Sequence, residues 1–125
     1  MKILVVDDER DVQVLFEQRF RKEMKSGEMH FVFAFSGEDA LVYLDGHDHE
    51  AVLILSDINM PGMNGIELLR QIKQKHKHPP PVVMMITAYG DAESYNTAMQ
   101  LGADDFLTKP VDFTVLKDKL KAIQS

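Results

Sequence analysis

No cysteine occurs in the 125 residues, which excludes disulfides, thiolate metal sites and thiol catalysis. Long apolar runs are missing too. The first, Ile3 to Val6, stops at Asp7-Asp8, far too short for a signal peptide or a membrane span. A soluble, cytoplasmic chain without membrane contact is the expectation. Nor is there a positive excess. Lys and Arg number 14 against 20 Asp and Glu, and a net charge of -6 argues against direct nucleic-acid binding. The densest basic stretches, Arg19-Phe20-Arg21-Lys22 and Lys73-Gln74-Lys75-His76-Lys77, are interleaved at helical spacing and read as solvated helix faces. No internal repeat or low-complexity linker divides the chain. With 45% hydrophobic and 27% charged residues, it reads as one globular domain over 1–125.

Short continuous apolar segments recur along the chain: Ile3-Leu4-Val5-Val6, Phe31-Val32-Phe33-Ala34-Phe35, Val52 to Leu55, Val82 to Ile86, and Phe106-Leu107. Such runs are the pattern of strands buried on both faces of a parallel sheet. Between them lie stretches of helical periodicity. Val12, Leu15, Phe16 and Phe20 share a face before Gly27 interrupts; Ala40, Leu41 and Leu44 follow a cap at Ser36 and end near Gly46. Ile66, Leu69 and Ile72 follow the helix-start turn Asn64-Gly65, and Pro79-Pro80-Pro81 forbids continuation. A weaker pattern runs from about Asp91 to Leu101 and closes at Gly102, and Leu116, Leu120 and Ile123 line a fifth helix. Strict alternation predicts an α/β fold, five parallel strands with helices on both faces joined by right-handed crossovers.

Ligands bind such sheets at the carboxyl ends of the strands. The first strand ends in Asp7-Asp8, the third in Asp57, the fourth in Thr87 and the fifth in Lys109; the second offers little. With strand order 2-1-3-4-5 these four ends are contiguous and meet in one pocket. An Asp followed by Asn59, Pro61 and Gly62 is also ordinary turn chemistry, and it is the other strand ends that favour a functional Asp57. Asp7, Asp8 and Asp57 against Lys109 leave a net charge of -2. Carboxylates this close resist joint ionisation, and a divalent cation relieves the conflict. Hard oxygen donors favour magnesium. A magnesium ion beside a carboxylate, a Lys and a Thr hydroxyl makes a site for a phosphoryl group, and Asp57 can act as nucleophile to give an acyl phosphate.

At these residues the chain closely resembles the receiver domain of two-component response regulators, over essentially its whole length. The match rests on Asp7-Asp8, the segment Asp57-Ile58-Asn59-Met60-Pro61-Gly62-Met63-Asn64-Gly65, Thr87-Ala88, and Gly102-Ala103-Asp104-Asp105-Phe106-Leu107-Thr108-Lys109-Pro110. The resemblance implies a flavodoxin-like, doubly wound sheet. It implies that Asp57 takes its phosphoryl group from the phosphohistidine of a sensor histidine kinase or phosphotransfer protein. Asp8 and Asp57 would bind magnesium directly with the backbone carbonyl of Asn59, and Asp7 would assist through water. Thr87 would hydrogen-bond the phosphoryl group, Lys109 would pair with it, Phe106 would be the switch aromatic, and the Lys109-Pro110 peptide would be cis.

Phosphorylation takes the Asp57 side chain from about -1 to about -2 and adds acceptor oxygens. Thr87 moving toward those oxygens would vacate space for Phe106. The change would reach the face of the fourth helix, fifth strand and fifth helix, where Tyr89 and Tyr95 could meet partners. A downstream effector, or an output domain fused after Ser125, would read that face, which is also where a homodimer could form. Asn59 and Tyr89, each two positions beyond Asp57 and Thr87, would flank an attacking water and set the phosphoryl lifetime. The domain is expected to be no turnover enzyme, catalysing only its own phosphorylation and dephosphorylation.

Two rival functions fit the fold less well. A haloacid dehalogenase phosphatase needs an acid two positions after its nucleophile, where this chain has Asn59. A flavodoxin-like carrier needs a phosphate loop after the first strand, where Asp7-Asp8-Glu9 would repel phosphate. His47-Asp48-His49-Glu50 reads as a polar loop rather than a metal site, and His76 and His78 as solvated. The methionines read as core filler, with Met60 and Met63 at the pocket mouth.

Overall fold

Alternating residues along each strand turn to opposite faces, and here both faces are covered. The computed structural model describes residues 1–47, 52–75, 81–88 and 91–124. Strands β1 (Lys2–Val6), β2 (His30–Ala34), β3 (Val52–Asp57), β4 (Val82–Thr87) and β5 (Asp105–Thr108) form a parallel sheet in the order β2-β1-β3-β4-β5, as the strand ends required. Ile3, Val5, Leu53, Leu55, Met84, Ile86 and Leu107 enter one core, packed under α1 (Asp11–Arg19), α2 (Arg21–Ser26) and α6 (Phe113–Gln124). Leu4, Val6, Ile54, Val83 and Met85 enter the other, under α3 (Gly37–Asp45), α4 (Gly65–Lys75) and α5 (Ala92–Gln100). Burial on both sides is why these strands read as unbroken apolar runs.

The predicted helix starts are local hydrogen bonds. Ser36 Oγ accepts from the Asp39 amide at 3.0 Å, Asn64 Oδ1 from Glu67 at 2.9 Å and Asp91 Oδ1 from Ser94 at 3.1 Å, each satisfying an otherwise orphaned N–H. Gly102, at φ +96°, closes the segment after α5, a conformation only glycine adopts freely.

Three details differ from the sequence reading. The first helix is two segments meeting at Phe20 (φ -111°, ψ 20°), so the described residues hold six helices rather than five. The bonds Phe20 N to Phe16 O and Met24 N to Phe20 O, both 2.9 Å, carry the chain across the break. Ile123 is exposed, because α6 at that point has only Leu116 and Leu120 in the core. Leu15 is exposed as well, Phe16 and Phe20 taking the buried positions.

Candidate functional site

β1 connects outward to β2 on one side, while β3 to β5 lie on the other, so the topological switch lies between β1 and β3. A crevice opens at the carboxyl ends of strands at such a point. Asp7 directly follows β1, Asp57 ends β3, Thr87 ends β4 and Lys109 directly follows β5. The four predicted strand-end groups are therefore neighbours, and β2 contributes none.

Asp57 is 1% exposed. Its Oδ1 accepts from the Asn59 amide at 3.2 Å and its Oδ2 from Lys109 Nζ at 2.7 Å. The following backbone is fixed as well: Ile58 N donates to Ile86 O at 3.0 Å, and Gly65 N to Ile58 O at 2.8 Å. Lys109 is anchored through its own amide, 2.9 Å from Thr87 O. The Lys109–Pro110 peptide is cis, as expected.

Asp7 is buried and accepts from the Glu9 amide at 2.9 Å. Burial pushes its carboxyl above the usual range; the Glu9 bond opposes this, and the nearby Asp57 charge reinforces it. For Lys109, burial by itself would lower the ammonium. Its hydrogen bond to Asp57 and the charges of Asp57, Asp7 and Glu9 outweigh that and raise it.

Asp7, Asp8 and Asp57 each bring an oxygen to within 4.8 Å of the others. All three donors are hard, two are buried and Asp8 faces solvent. That set fits a divalent cation that keeps water on its open side, which is the habit of magnesium.

Thr87 is buried, and among the described residues its hydroxyl makes only a long contact, 3.5 Å to Ala88 O. Phe106 packs against the second core and lies against Tyr95, ring centroids 4.5 Å apart. A cleft of about 250 Å³ lined by Thr87, Ala88, Asp91, Ala92, Tyr95 and Thr108 adjoins this pair. A larger one, about 550 Å³, reaches from Asp7 and Lys109 down past Val12, Phe16, Pro110 and Phe113.

Sequence reasoning missed a steric requirement. A Cβ on Gly65 would lie 2.2 Å from Asp57 O and 2.8 Å from Ile58 Cα, so only glycine lets α4 start against the Asp57 backbone. Its neighbour Asn64 already explained a glycine there as turn chemistry, so no separate signal existed. Met60 is buried in the second core, so it does not stand free at the pocket mouth, while Met63 packs against that core only partly buried, its side chain beside Gly37. His47 stacks on Tyr43 at 4.0 Å with Nδ1 2.7 Å from the Tyr43 carbonyl. Asp48, His49, Glu50, His76, His78, Tyr89 and Ser125 lie outside the described residues.

Comparison with known proteins converges on one family. The model of the response regulator receiver domain matches residues 3–121. The transcriptional regulatory protein CpxR of Klebsiella pneumoniae subsp. pneumoniae (strain HS11286) is 36% identical over 122 residues, which are 98% of this chain and 48% of that protein. The chain thus spans about half the length of the curated relatives it matches. A response regulator receiver protein from Pseudomonas putida superposes with a TM-score of 0.81 at 28% identity, covering 97% of this chain and 95% of that one. Vibrio cholerae chemotaxis protein CheY4, at TM-score 0.80 and 23% identity over 97% and 96% of the two chains, shares the fold.

Proposed function

We propose, for a chain that belongs to the response regulator receiver domain family of two-component systems, that Asp57 accepts a phosphoryl group from the phosphohistidine of a sensor histidine kinase or phosphotransfer protein. The observation that carries this reading is the buried Asp57 carboxylate held at 2.7 Å by Lys109 beside two further carboxylates. In the transfer, an Asp57 oxygen forms a bond to phosphorus as the donor's phosphorus–nitrogen bond breaks. The imidazole leaves with its electron pair and takes a proton from solvent. Asp8, Asp57 and the Asn59 carbonyl would hold magnesium directly, and Asp7 through water. When bound, the ion supplies positive charge against the phosphoryl oxygens.

The chain's own groups do the rest. Lys109 is already charged and in place, so it can follow the phosphoryl group with little reorganisation. Thr87, whose hydroxyl has no short bond to give up among the described residues, turns to a phosphoryl oxygen. Phe106 and Tyr95 then repack, altering the face of α5, β5 and α6. A downstream effector or a fused output domain reads that face, and it is the surface open to a second copy. The domain itself binds neither membrane nor nucleic acid, works in the cytoplasm and turns over no substrate beyond its own phosphorylation and hydrolysis. Among the described residues no helix is long and apolar enough to cross a membrane.

Phosphoramidate, whose phosphorus–nitrogen bond imitates phosphohistidine, tests the site. Hydroxylamine trapping and peptide mapping should place a hydroxamate on Asp57 alone; a hydroxamate on Asp7 or Asp8 would contradict the assignment.

A further inference from the structure

The loop from Ile58 to Gly65 carries Asn59, whose amide donates to Asp57 Oδ1 at 3.2 Å. Backbone bonds fix its two ends, Ile58 N to Ile86 O and Gly65 N to Ile58 O. Between them, side chains tie the loop down. Met60 is buried in the second core, and Met63 lies along the start of α3. A Cβ on Gly37 would stand 2.8 Å from Met63 Sδ, 3.0 Å from its Cγ and 3.1 Å from its Cβ. The thioether therefore fills the notch left by the missing Cβ. A Cβ on Gly62, in turn, would lie 3.4 Å from Glu38 Oε2, so loop and helix interlock over two residues each.

The chain's methionines differ in how open they are to an oxidant. Met29, Met60, Met84 and Met85 are buried. Met1 and Met24 pack on the first core, on the opposite face of the sheet from α3. Met99, on α5, is 47% exposed. Met63 is partly exposed, between exposed Gly62 and Asn64. It alone joins an accessible sulfur to the loop that carries Asn59.

We propose that Met63 is a redox modification site: a peroxide converts it to methionine sulfoxide, and the loop beside Asp57 loses its hold on α3. The sulfur's electron pair forms an S–O bond to one peroxide oxygen as the O–O bond breaks. That oxygen's proton passes to the departing hydroxide, which leaves as water; the sulfur is oxidised and the peroxide reduced. The product is bulkier by one oxygen and polar where the thioether was apolar. Against Gly37 and the second core it finds neither the room nor the solvation it needs. The side chain leaves the notch, and Asn59 loses its fixed position. The consequence for magnesium, which the Asn59 carbonyl would hold, rests on the function proposed above; the release of the loop does not.

The test treats the full chain carrying Met99→Leu, which removes the most exposed sulfur, with hydrogen peroxide and follows each methionine by peptide mapping and NMR. Met63 should oxidise while Met60, Met84 and Met85 stay reduced. The amides of Gly37, Asn59 and Gly62 should shift and magnesium should bind roughly tenfold more weakly. A methionine sulfoxide reductase should reverse both changes. Gly37→Ala should imitate the oxidised state without oxidant, because its Cβ drives the thioether out, and peroxide should add nothing further to it. With Met63→Leu added, magnesium affinity should be the same before and after treatment. Met63 staying reduced after Met1 and Met24 have oxidised would overturn the proposal. So would a Met63 sulfoxide that leaves both the Asn59 amide and magnesium affinity unmoved, or a Gly37→Ala protein indistinguishable from wild type. If the Asn59 amide shifts on oxidation yet Asp57 takes no phosphoryl group in any of these proteins, the latch stands and the acceptor reading falls.

Discussion

Lys109 Nζ lies 2.7 Å from Asp57 Oδ2, joining two residues 52 positions apart in the chain. The carboxylate is buried, whereas the lysine side chain is 38% exposed, so solvent screens part of the bond. Lys109→Ala should cost about 1–2 kcal/mol of stability without magnesium, below the full worth of a charged hydrogen bond for that reason. Millimolar magnesium should restore part of it by supplying the lost positive charge. Urea unfolding of both proteins, with and without the ion, measures this. The lysine's raised pKa means that its contribution holds at neutral pH and is lost only as pH rises through that raised value, above the ordinary 10.5.

Asp7 behaves in the opposite sense. Its raised carboxyl pKa means that the folded state holds this proton more firmly than the unfolded state. Metal-free stability should therefore fall as pH climbs from the ordinary 3.8 through the raised value. Asp7→Asn should abolish that fall and melt a few degrees higher at neutral pH in EDTA. The same variant should gain less from magnesium than wild type does, where saturation at a hundred times Kd is worth about 2.7 kcal/mol. Thermal melts across pH, with EDTA or magnesium, check both halves.

Gly65→Ala should destabilise by roughly 2–4 kcal/mol, because its Cβ meets backbone rather than a side chain that can swing away. Gly46→Ala is the control. Its nearest contacts are 3.7 and 3.8 Å and its φ is -84°, so the change should be neutral or stabilise by up to about 1 kcal/mol. Chemical denaturation of the pair separates the steric argument from a general cost of losing glycine.

Glu23, on α2, is buried, with Oε2 3.1 Å from Lys117 Nζ on α6 and Oε1 without a partner among the described residues. Burial alone would raise its carboxyl; the bond from its own backbone amide and that from Lys117 outweigh this and hold it low. Its contribution is thus present above the ordinary 4.5 and lost as pH falls through the lowered value. Glu23→Gln should cost about 1–3 kcal/mol at neutral pH and shallow the acid limb of the stability profile. Acid titration followed by circular dichroism is the measurement.

The strand ends were legible in the sequence because doubly buried strands leave no alternation to misread, and four of the five runs give way to a polar side chain able to do chemistry. That pattern alone singled out Asp7, Asp57, Thr87 and Lys109 as candidates, and the fold brings them to one edge of the sheet. What stayed hidden was hidden for physical reasons. Phe16, Phe20 and Met24 keep a helical spacing through the break at Phe20, so no residue announces it. Glu23 looks like any solvated helix charge until α6 folds over it. Ile123 continues the apolar stripe of Leu116 and Leu120, yet the helix has run past what it packs against.

Intact mass after incubation with acetyl phosphate decides whether Asp57 is the acceptor, for wild type and Asp57→Ala, with magnesium and with EDTA. Wild type should carry one phosphoryl adduct, dependent on magnesium and absent from the variant. No adduct under conditions where magnesium demonstrably binds, or an adduct that survives loss of Asp57, would contradict it.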